Sequence, residues 1–305
     1  MAIPIVVWVM EVNCAGCAGC CLDWRPLVDD LDADHERRGP RKPLDDVYNL
    51  VPLERDEVRA FLEAGYGDAL VPRLWLASDE DDGLGAVEID GHRLAAIEGR
   101  PAFFGGLRKV PKPVAPVGGD DTSWLPTCVF LDPDTLQCRI HDDQLYPAEC
   151  AAYPAHNLAL EVESECERVE DRFGGTRLLD DDPGDVGGLL LGPGAIGAKV
   201  FAHPNPDGLE GVVDRIANGS VSDADRATFV AVAAASSPGT LAISEPHHEW
   251  ALERTLEADS WVGRAIGEWE RRNEGRGGEA SDDVPDSAGA SAVEVARGAP
   301  ETPGW

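Results

Sequence analysis

The chain has 305 residues, which is long enough for one large domain or two ordinary domains with a real hydrophobic core. Its 26 basic and 57 acidic residues leave a formal net charge of −31. A chain of this sign repels phosphate backbones and anionic lipid headgroups, so we expect neither nucleic acid nor a membrane as its partner. Self-repulsion this strong needs high salt to screen it, which indicates a halophilic protein with its acidic residues on the surface.

The first ten residues are apolar, but crossing a bilayer takes about 20 apolar residues. They also lack the basic region and the small-residue cleavage site of a secretory signal. Two interpretations stay open: a buried first strand, or a start of translation at Met10 rather than at Met1. In either case we expect a cytoplasmic protein.

Four cysteines then fall within eight residues, as Cys14-Ala-Gly-Cys17-Ala-Gly-Cys20-Cys21. Disulfides are rare in a reducing cytosol, so such a dense cluster indicates metal or redox chemistry. Two-residue spacing lets a short loop direct its thiolates to one centre, and the intervening glycines give the backbone the necessary freedom. Adjacent residues point to opposite sides of an extended backbone, so Cys20 and Cys21 favour two sites or one spare thiol.

Local patterns further along the chain predict short elements of both kinds. Apolar residues at helical spacing predict a helix over 53–64. Residues 86–97 predict two short strands joined at Asp90-Gly91, a dipeptide that favours a tight hairpin turn. Residues 128–138 predict a second hairpin, which turns at Asp132-Pro133-Asp134.

Four more cysteines bring the total to eight: Cys128, Cys138, Cys150 and Cys166. Eight thiolates suffice for two four-ligand sites, or for one site with spare thiols. One possible partition uses four cysteines for one centre and the other four for a second centre. The cysteines of the first centre would be Cys14, Cys17, Cys20 and Cys150. His141 and His156 are near these cysteines in sequence, and either could replace a thiolate as a ligand.

Cysteines are absent after residue 166, and an acidic, glycine-rich stretch at about 180–188 predicts a domain boundary. Beyond it the pattern predicts helices over 209–217, 222–235, 249–257 and 261–272, the second of them opened by a capping box at Ser222 and Asp225. We therefore divide the chain into a cysteine-cluster domain at 10–180, a helical segment at 181–272 and a disordered acidic tail at 273–305.

Three weaker motifs each have a structural interpretation that we prefer. Gly192-Pro-Gly194-Ala-Ile-Gly197 matches a nucleotide-binding pattern, but prolines follow too soon for the helix that this pattern needs, so we expect a turn. Arg108, Lys109 and Lys112 could offset the charge of a thiolate centre or bind an anionic partner, although we favour an exposed, proline-rich loop. His247-His248 is typical of a solvated helix start.

Taken together, the cysteines and their neighbours resemble the YkgJ-type cysteine-cluster family over about residues 10–170. The resemblance is carried by Cys14-x2-Cys17-x2-Cys20-Cys21, Cys128-x9-Cys138, Pro147-Ala-Glu-Cys150 and Tyr153-Pro154. It implies a zinc- or iron-chelating domain in which all eight cysteines are ligands. A distant relative of that family, the flagellin lysine methylase, combines a similar pattern with an iron–sulfur cluster, which implies an enzymatic alternative.

These observations lead to one main hypothesis with two alternatives. We expect an α+β fold: a loop-rich, metal-stapled cysteine-cluster domain with short β-hairpins, followed by a helical segment. Its cysteines would coordinate Zn²⁺ or an iron–sulfur cluster, for which the three-step loop favours the 4Fe–4S form, in a structural or redox role. The alternatives are an iron–sulfur-dependent enzyme, methyltransferase-like or an oxidoreductase, and a metal carrier with exposed thiolates.

Overall fold

The computed structural model describes residues 12–14, 16–28, 42–78, 85–117, 121–141, 143–161, 163–179, 182–183, 193–274 and 289–303. The predictions of a first strand before Met10 and of an alternative start concern residues outside these ranges. Apart from residues 182–183, the predicted boundary at 180–188 also lies outside them.

Eight strands of the described residues form two antiparallel sheets. They are β1 (Pro52–Leu53), β2 (Leu70–Leu74), β3 (Gly85–Ile89), β4 (His92–Ile97), β5 (Arg100–Leu107), β6 (Lys109–Val114), β7 (Ser123–Cys128) and β8 (Phe201–Ala202). Strand β5 pairs with β1, β2, β4 and β8, and β3 completes the sheet beside β4. Strands β6 and β7 form a separate two-stranded sheet, which carries the first cysteine after the N-terminal cluster.

Both predicted hairpins are confirmed, because their turns are specified by local residues. Strands β3 and β4 are joined by Asp90 and Gly91, which have φ values of 53° and 77°, as a tight two-residue hairpin requires. In the second hairpin, Leu131 pairs with Cys138 across the turn. There the Asp132 carboxylate accepts hydrogen bonds from the backbone N–H groups of the turn.

The helices of the described residues are α1 (Arg55–Glu63), α2 (Ala148–Ala152), α3 (Ala155–Ala159), α4 (Glu165–Phe173), α5 (Val212–Ala217), α6 (Asp223–Ala235), α7 (Glu245–Leu256), α8 (Trp261–Glu274) and α9 (Ala290–Val295). The predicted helices appear as α1, α5, α6, α7 and α8. Helix α1 begins later than expected because Pro52–Leu53 pairs in the sheet. Helix α5 begins after Gly211, whose φ of 74° interrupts the helical backbone. Thus the prediction of a mixed α and β fold is confirmed.

A large core joins the six-stranded sheet to the helices that follow it in the chain. Phe103 on β5 meets Phe229 on α6 edge to face, with their ring centroids 4.9 Å apart. A smaller core lies beneath the cysteines of the N-terminal cluster and includes Leu22, Trp24 and Val169. The site described below is built over this smaller core.

The C-terminal residues depart from the predicted disordered tail. Residues 289–303, called the C-terminal segment below, include helix α9 and bury Glu294, which is 1% exposed. The prediction is wrong for this segment because its small-residue composition gives no sign that the Glu294 carboxylate pairs with the buried cations Lys112 and Arg139. Helix α8 also extends to Glu274, two residues into the predicted tail.

Two of the weaker motifs can be placed in this fold. Residues 193–200 form a short 3-10 helix and a turn in which Gly197 has a φ of 70°, so the preferred interpretation of a turn is confirmed for the described part of the motif. His247 lies in the first turn of α7, and its ring nitrogen is 2.8 Å from the Ser244 hydroxyl. Among the described helices, none combines the length and the hydropathy that a membrane span requires.

Candidate metal centre

The cysteine loop spans positions 14–21, and its described residues, Cys14 and 16–21, fold as consecutive tight turns rather than as an extended strand. Cys17 N donates to Cys14 O at 3.1 Å, and Cys21 N donates to Ala18 O at 2.8 Å. Positive φ values at Gly16 and Ala18 permit these turns. As a result the sulfur atoms of Cys20 and Cys21 lie 3.9 Å apart. The expectation that adjacent thiols point to opposite sides is therefore wrong, because it assumed an extended backbone.

The cysteine loop is held between β7 and α4. Its last carbonyl, Cys21 O, accepts a hydrogen bond from Cys128 N at 2.7 Å, which places a β7 cysteine beside the loop. On the other side, a Cβ atom at Gly19 would lie 2.5 Å from Cγ2 of Val169 on α4. No side chain fits there without a shift, so glycine lets the loop approach the helix that carries Cys166.

Helix α4 is fixed by its first turn. Ser164 and Glu167 form a capping box, in which Ser164 N donates to the Glu167 carboxylate at 2.6 Å. Next to it, the buried Glu165 carboxylate accepts hydrogen bonds from Trp24 Nε1 at 2.9 Å and from Tyr48 Oη at 2.7 Å. Because Trp24 lies three residues after Cys21, its bond to Glu165 ties the end of the cysteine loop to the helix that carries Cys166.

The remaining cysteines lie on the second hairpin and on α2. Cys128 and Cys138 stand at the two ends of residues 128–138, called the cysteine hairpin below. Cys150 lies in the middle of α2, whose first N–H group, at Ala148, donates to the Glu57 carboxylate at 2.7 Å. That bond ties α2 to α1, so the position of Cys150 depends on the main sheet and its helices.

The effects of the thiols on one another identify which cysteines are neighbours. Cys14 as a residue is exposed, but partial desolvation of its thiol raises the pKa of that group to about 12, and the nearness of Cys20 and Cys17 adds to the rise. Burial also raises the pKa of Cys166, followed by repulsion from three thiols of the cysteine loop, Cys20, Cys17 and Cys14. Cys166 therefore belongs with the start of the loop.

A second group surrounds the cysteine hairpin. Burial raises the pKa of Cys138 to about 12, with added repulsion from Cys128 and Cys20. Burial raises the pKa of Cys150 well above its usual range, followed by repulsion from Cys20, Cys128 and Cys138. The hydrogen bond to Cys20 is the first cause of the raised pKa of Cys21, and Cys128 and Cys138 contribute as well. This grouping places Cys166 rather than Cys150 with Cys14 and Cys17, whereas the partition expected from the sequence stays a prediction.

Two cations face the thiols. Lys109 is paired with Cys128 in the register of β6 and β7, and its Nζ donates to Cys20 O at 3.3 Å. Burial lowers the pKa of Lys109, an effect that the thiolates of Cys21 and Cys128 oppose. The positive charge of Arg177 opposes the rise in the pKa of the Cys17 thiol that burial causes. The favoured interpretation of the basic cluster as an exposed loop is wrong, since these residues belong to or adjoin β6.

Both histidines considered as ligands contact other side chains. The ring of His141 packs against that of Tyr146, with their centroids 4.9 Å apart. His156 Nδ1 lies 3.2 Å from the Glu149 carboxylate, which also pairs with Lys199. Their roles as ligands stay predictions.

All eight cysteines are free thiols: Cys14 is exposed, Cys17 is buried and the others are half-buried. Within the described ranges, no three histidine, cysteine or acidic side chains are placed to hold one metal ion. The donor set itself suits zinc or an iron–sulfur cluster, both of which take cysteine thiolates. Occupation by either would require the thiols to draw closer together.

The contacts that hold the cysteine-bearing elements in place could not be predicted from sequence patterns, because they join residues far apart in the chain. Trp24 and Glu165 are 141 residues apart, and Ala148 and Glu57 are 91 residues apart. A glutamate after a helix-capping serine, as at Ser164-Glu165, indicates the start of a helix. It does not predict that the glutamate accepts a hydrogen bond from Trp24. Arg177 likewise lies eleven residues after the last cysteine, in no recognisable motif.

Fold and site together define a cysteine-rich α+β protein with eight free thiols. Residues 10–305 match the model of a family of unknown function, DUF7531, and the chain belongs to this family. No curated protein and no solved structure matches the chain significantly. The resemblance to the YkgJ-type family stays a prediction.

Proposed function

We propose that this protein binds metal through its eight cysteines, as zinc or as an iron–sulfur cluster, in a structural or redox role. The proposal is carried by the contacts that bring the cysteine loop beside β7 and α4: Cys128 N donates to Cys21 O at 2.7 Å, and Gly19 lies against Val169 on the helix of Cys166. Buried cysteines are common as small hydrophobic residues. Four cysteines within eight residues, with cysteine-bearing elements on both sides of them, are not explained by packing.

Charge supports the same proposal. Burial keeps most of these thiols protonated, and a bound metal would replace their protons, because it is the thiolate that ligates. Zn²⁺ with four thiolates carries a net charge of about −2, which a half-buried site must offset. Lys109 and Arg177 supply positive charge beside the two groups of thiols.

The two groups suggest two four-ligand centres. Cys14, Cys17 and Cys166 form the core of one group, and Cys128, Cys138 and Cys150 form that of the other. Cys20 and Cys21 lie between them, with their sulfur atoms 3.9 Å apart. We assign Cys20 to the first centre and Cys21 to the second, because Cys21 is hydrogen-bonded through its carbonyl to Cys128.

A metal carrier is the second candidate. Delivery of a metal requires a thiolate that a partner can reach, and Cys14 is exposed. Under this alternative the first centre would exchange its metal readily, whereas the second would retain it. The enzymatic alternative stays a prediction.

The direct test is to purify the protein without oxygen in high salt and to measure zinc, iron and acid-labile sulfide per chain. Iron with equal sulfide and a reducible brown chromophore would support an iron–sulfur centre, whereas colourless protein with zinc would support a structural site. Anaerobic protein that holds neither metal, even after addition of each, would refute the proposal.

Two substitutions test the assignment to centres. Cys166→Ala is expected to remove the metal of the first centre, and Cys150→Ala that of the second. His247→Ala, at an exposed helix start, is the control and should leave the metal content unchanged. Loss of the same fraction of metal in both cysteine variants would contradict two independent centres.

A further inference from the structure

The C-terminal segment is joined to the cysteine hairpin by a buried group of four charges. Lys112 Nζ donates to Glu294 Oε1 at 2.8 Å, and Arg139 Nε donates to Glu294 Oε2 at 3.1 Å. Asp132 completes the group, 3.0 Å from the Arg139 guanidinium. The four side chains are between 0% and 4% exposed. Two cations and two carboxylates thus balance one another out of contact with water.

Further hydrogen bonds attach the segment along the hairpin. Ser291 Oγ and Thr302 Oγ1 donate to the Asp132 carboxylate at 2.9 Å and 2.6 Å. Ser291 N donates to the Asp134 carboxylate in the turn, at 3.1 Å. The C-terminal segment therefore contacts the turn of the hairpin and Arg139, the residue that follows its second arm.

The charged group also lies next to the thiols in the chain. Arg139 directly follows Cys138, and Lys112 Nζ donates to Leu131 O at 2.6 Å, within the hairpin. Lys112 is on β6, the strand whose first residue, Lys109, pairs with Cys128. Any change in the pairing of these cations is therefore transmitted to the strands that carry Cys128 and Cys138.

We propose that the C-terminal segment is a positioning element of the metal centre, in which Glu294 holds the cysteine hairpin so that Cys128 and Cys138 face the other thiols. This inference rests on the proposed function for its purpose, but its geometry does not require a metal. Glu294 acts through Arg139 and Lys112. Without its carboxylate, two buried cations would share the single charge of Asp132, and the hairpin would have to open to hydrate one of them.

The test uses the full chain with Glu294→Gln, a substitution of equal size that removes the charge. Each cysteine of the metal-free protein is alkylated under reducing conditions, and its rate is followed by mass spectrometry. We expect Cys128 and Cys138 to react about tenfold faster than in the wild type, because the hairpin opens locally, with Cys14 and Cys17 unchanged. In metal-loaded protein, a chelator should remove the metal of the second centre about tenfold faster.

Glu270→Gln is the matched control, since Glu270 pairs with Arg108 at a largely exposed position and is 52% exposed. It should leave all eight rates unchanged. Lys112→Met combined with Glu294→Gln restores the balance of one cation and one carboxylate, Arg139 with Asp132. This double variant should return the rates of Cys128 and Cys138 toward those of the wild type. If Glu294→Gln does not fold, Glu294→Asp is compared with the wild type instead: it keeps the charge but shortens the side chain, so its bonds to Lys112 and Arg139 weaken and Cys128 and Cys138 should again react faster while Cys14 and Cys17 do not.

The outcomes separate this inference from the proposed function. Equal acceleration of all eight cysteines would indicate general unfolding and would overturn the positioning role, as would unchanged rates. A lack of rescue in the double variant would also count against it. Wild-type protein that binds no metal would refute the proposed function, whereas the alkylation pattern would still decide whether Glu294 positions the hairpin.

Discussion

Gly19 is the residue at which the cysteine loop touches α4, and the contact depends on the absence of a side chain. An added Cβ would lie 2.5 Å from Cγ2 of Val169, a branched side chain that is 1% exposed and cannot turn away. The approach of the loop to the helix of Cys166 therefore tolerates only glycine here. This glycine serves packing, whereas Gly16 serves a turn with a φ of 63°.

Gly19→Ala is expected to destabilise the protein by about 1–3 kcal/mol, because an overpacked contact forces the loop away from α4. Gly267→Ala is the control: its Cβ would meet no atom within 4 Å on α8, so the change should stabilise the helix by about 0.5–1 kcal/mol. Urea unfolding of both variants in high salt measures the difference. Equal stability of the two variants would mean that the loop does not pack on α4 in this way.

At the residue scale, the sequence predicted which residues form the candidate site but not how they are grouped in space. The eight cysteines stand out as a group because four of them share eight residues. Their grouping in space could not be predicted, since Cys150 and Cys166 lie on short helices held by distant residues: Glu57 accepts from α2, and Trp24 donates to Glu165 on α4. Spacing along the chain predicts which residues are neighbours in space only within one short segment, such as the cysteine loop.

At the scale of elements, α6 and the two hairpins were predictable because their determinants are local. The start of α6 is set by a capping box, in which Ser222 N donates to Asp225 Oδ2 at 3.0 Å and Asp225 N donates to Ser222 Oγ at 3.1 Å. Helix α9 was missed because nothing within its own residues distinguishes it from a flexible tail. What orders it is the pairing of Glu294 with cations on other elements.

Ser222→Ala should lower the free energy of unfolding by about 1 kcal/mol, because the N–H group of Asp225 loses its acceptor at the start of α6. Helix α6 packs on the main sheet, so the whole domain should report the loss in thermal or urea unfolding. Ser220→Ala, two residues earlier and exposed, is the control and should change stability far less. A cost as large at Ser220 would argue that the cap contributes nothing specific.

At the scale of the whole molecule, salt should act differently on the net charge of −31 and on the buried charges of Lys112, Arg139, Asp132 and Glu294. Surface charges repel one another over a Debye length of about 10 Å at 0.1 M salt and about 3 Å at 1 M. The four charges around Glu294 are at most 4% exposed and are screened far less. Salt should therefore stabilise this protein mainly by weakening repulsion across its surface.

We expect the urea midpoint of unfolding to rise steadily as KCl is increased from about 0.1 M to about 1 M, since screening relieves the net repulsion. A nonionic osmolyte at matched osmolality is the control for general exclusion effects. A midpoint that rises equally with the osmolyte, or that stays constant in KCl, would contradict the proposal of a halophilic protein.

The buried pair of Lys112 and Glu294 also has a consequence for synthesis on the ribosome. The two residues are 182 positions apart, so the cations of the cysteine hairpin exist long before the carboxylate that balances them. Closing so long a loop is a late and slow step of folding. Until then the hairpin must keep its cations hydrated, and the thiols beside them cannot take up their final places. Any metal that the second centre binds would accordingly be held only after the C-terminal segment has been synthesised.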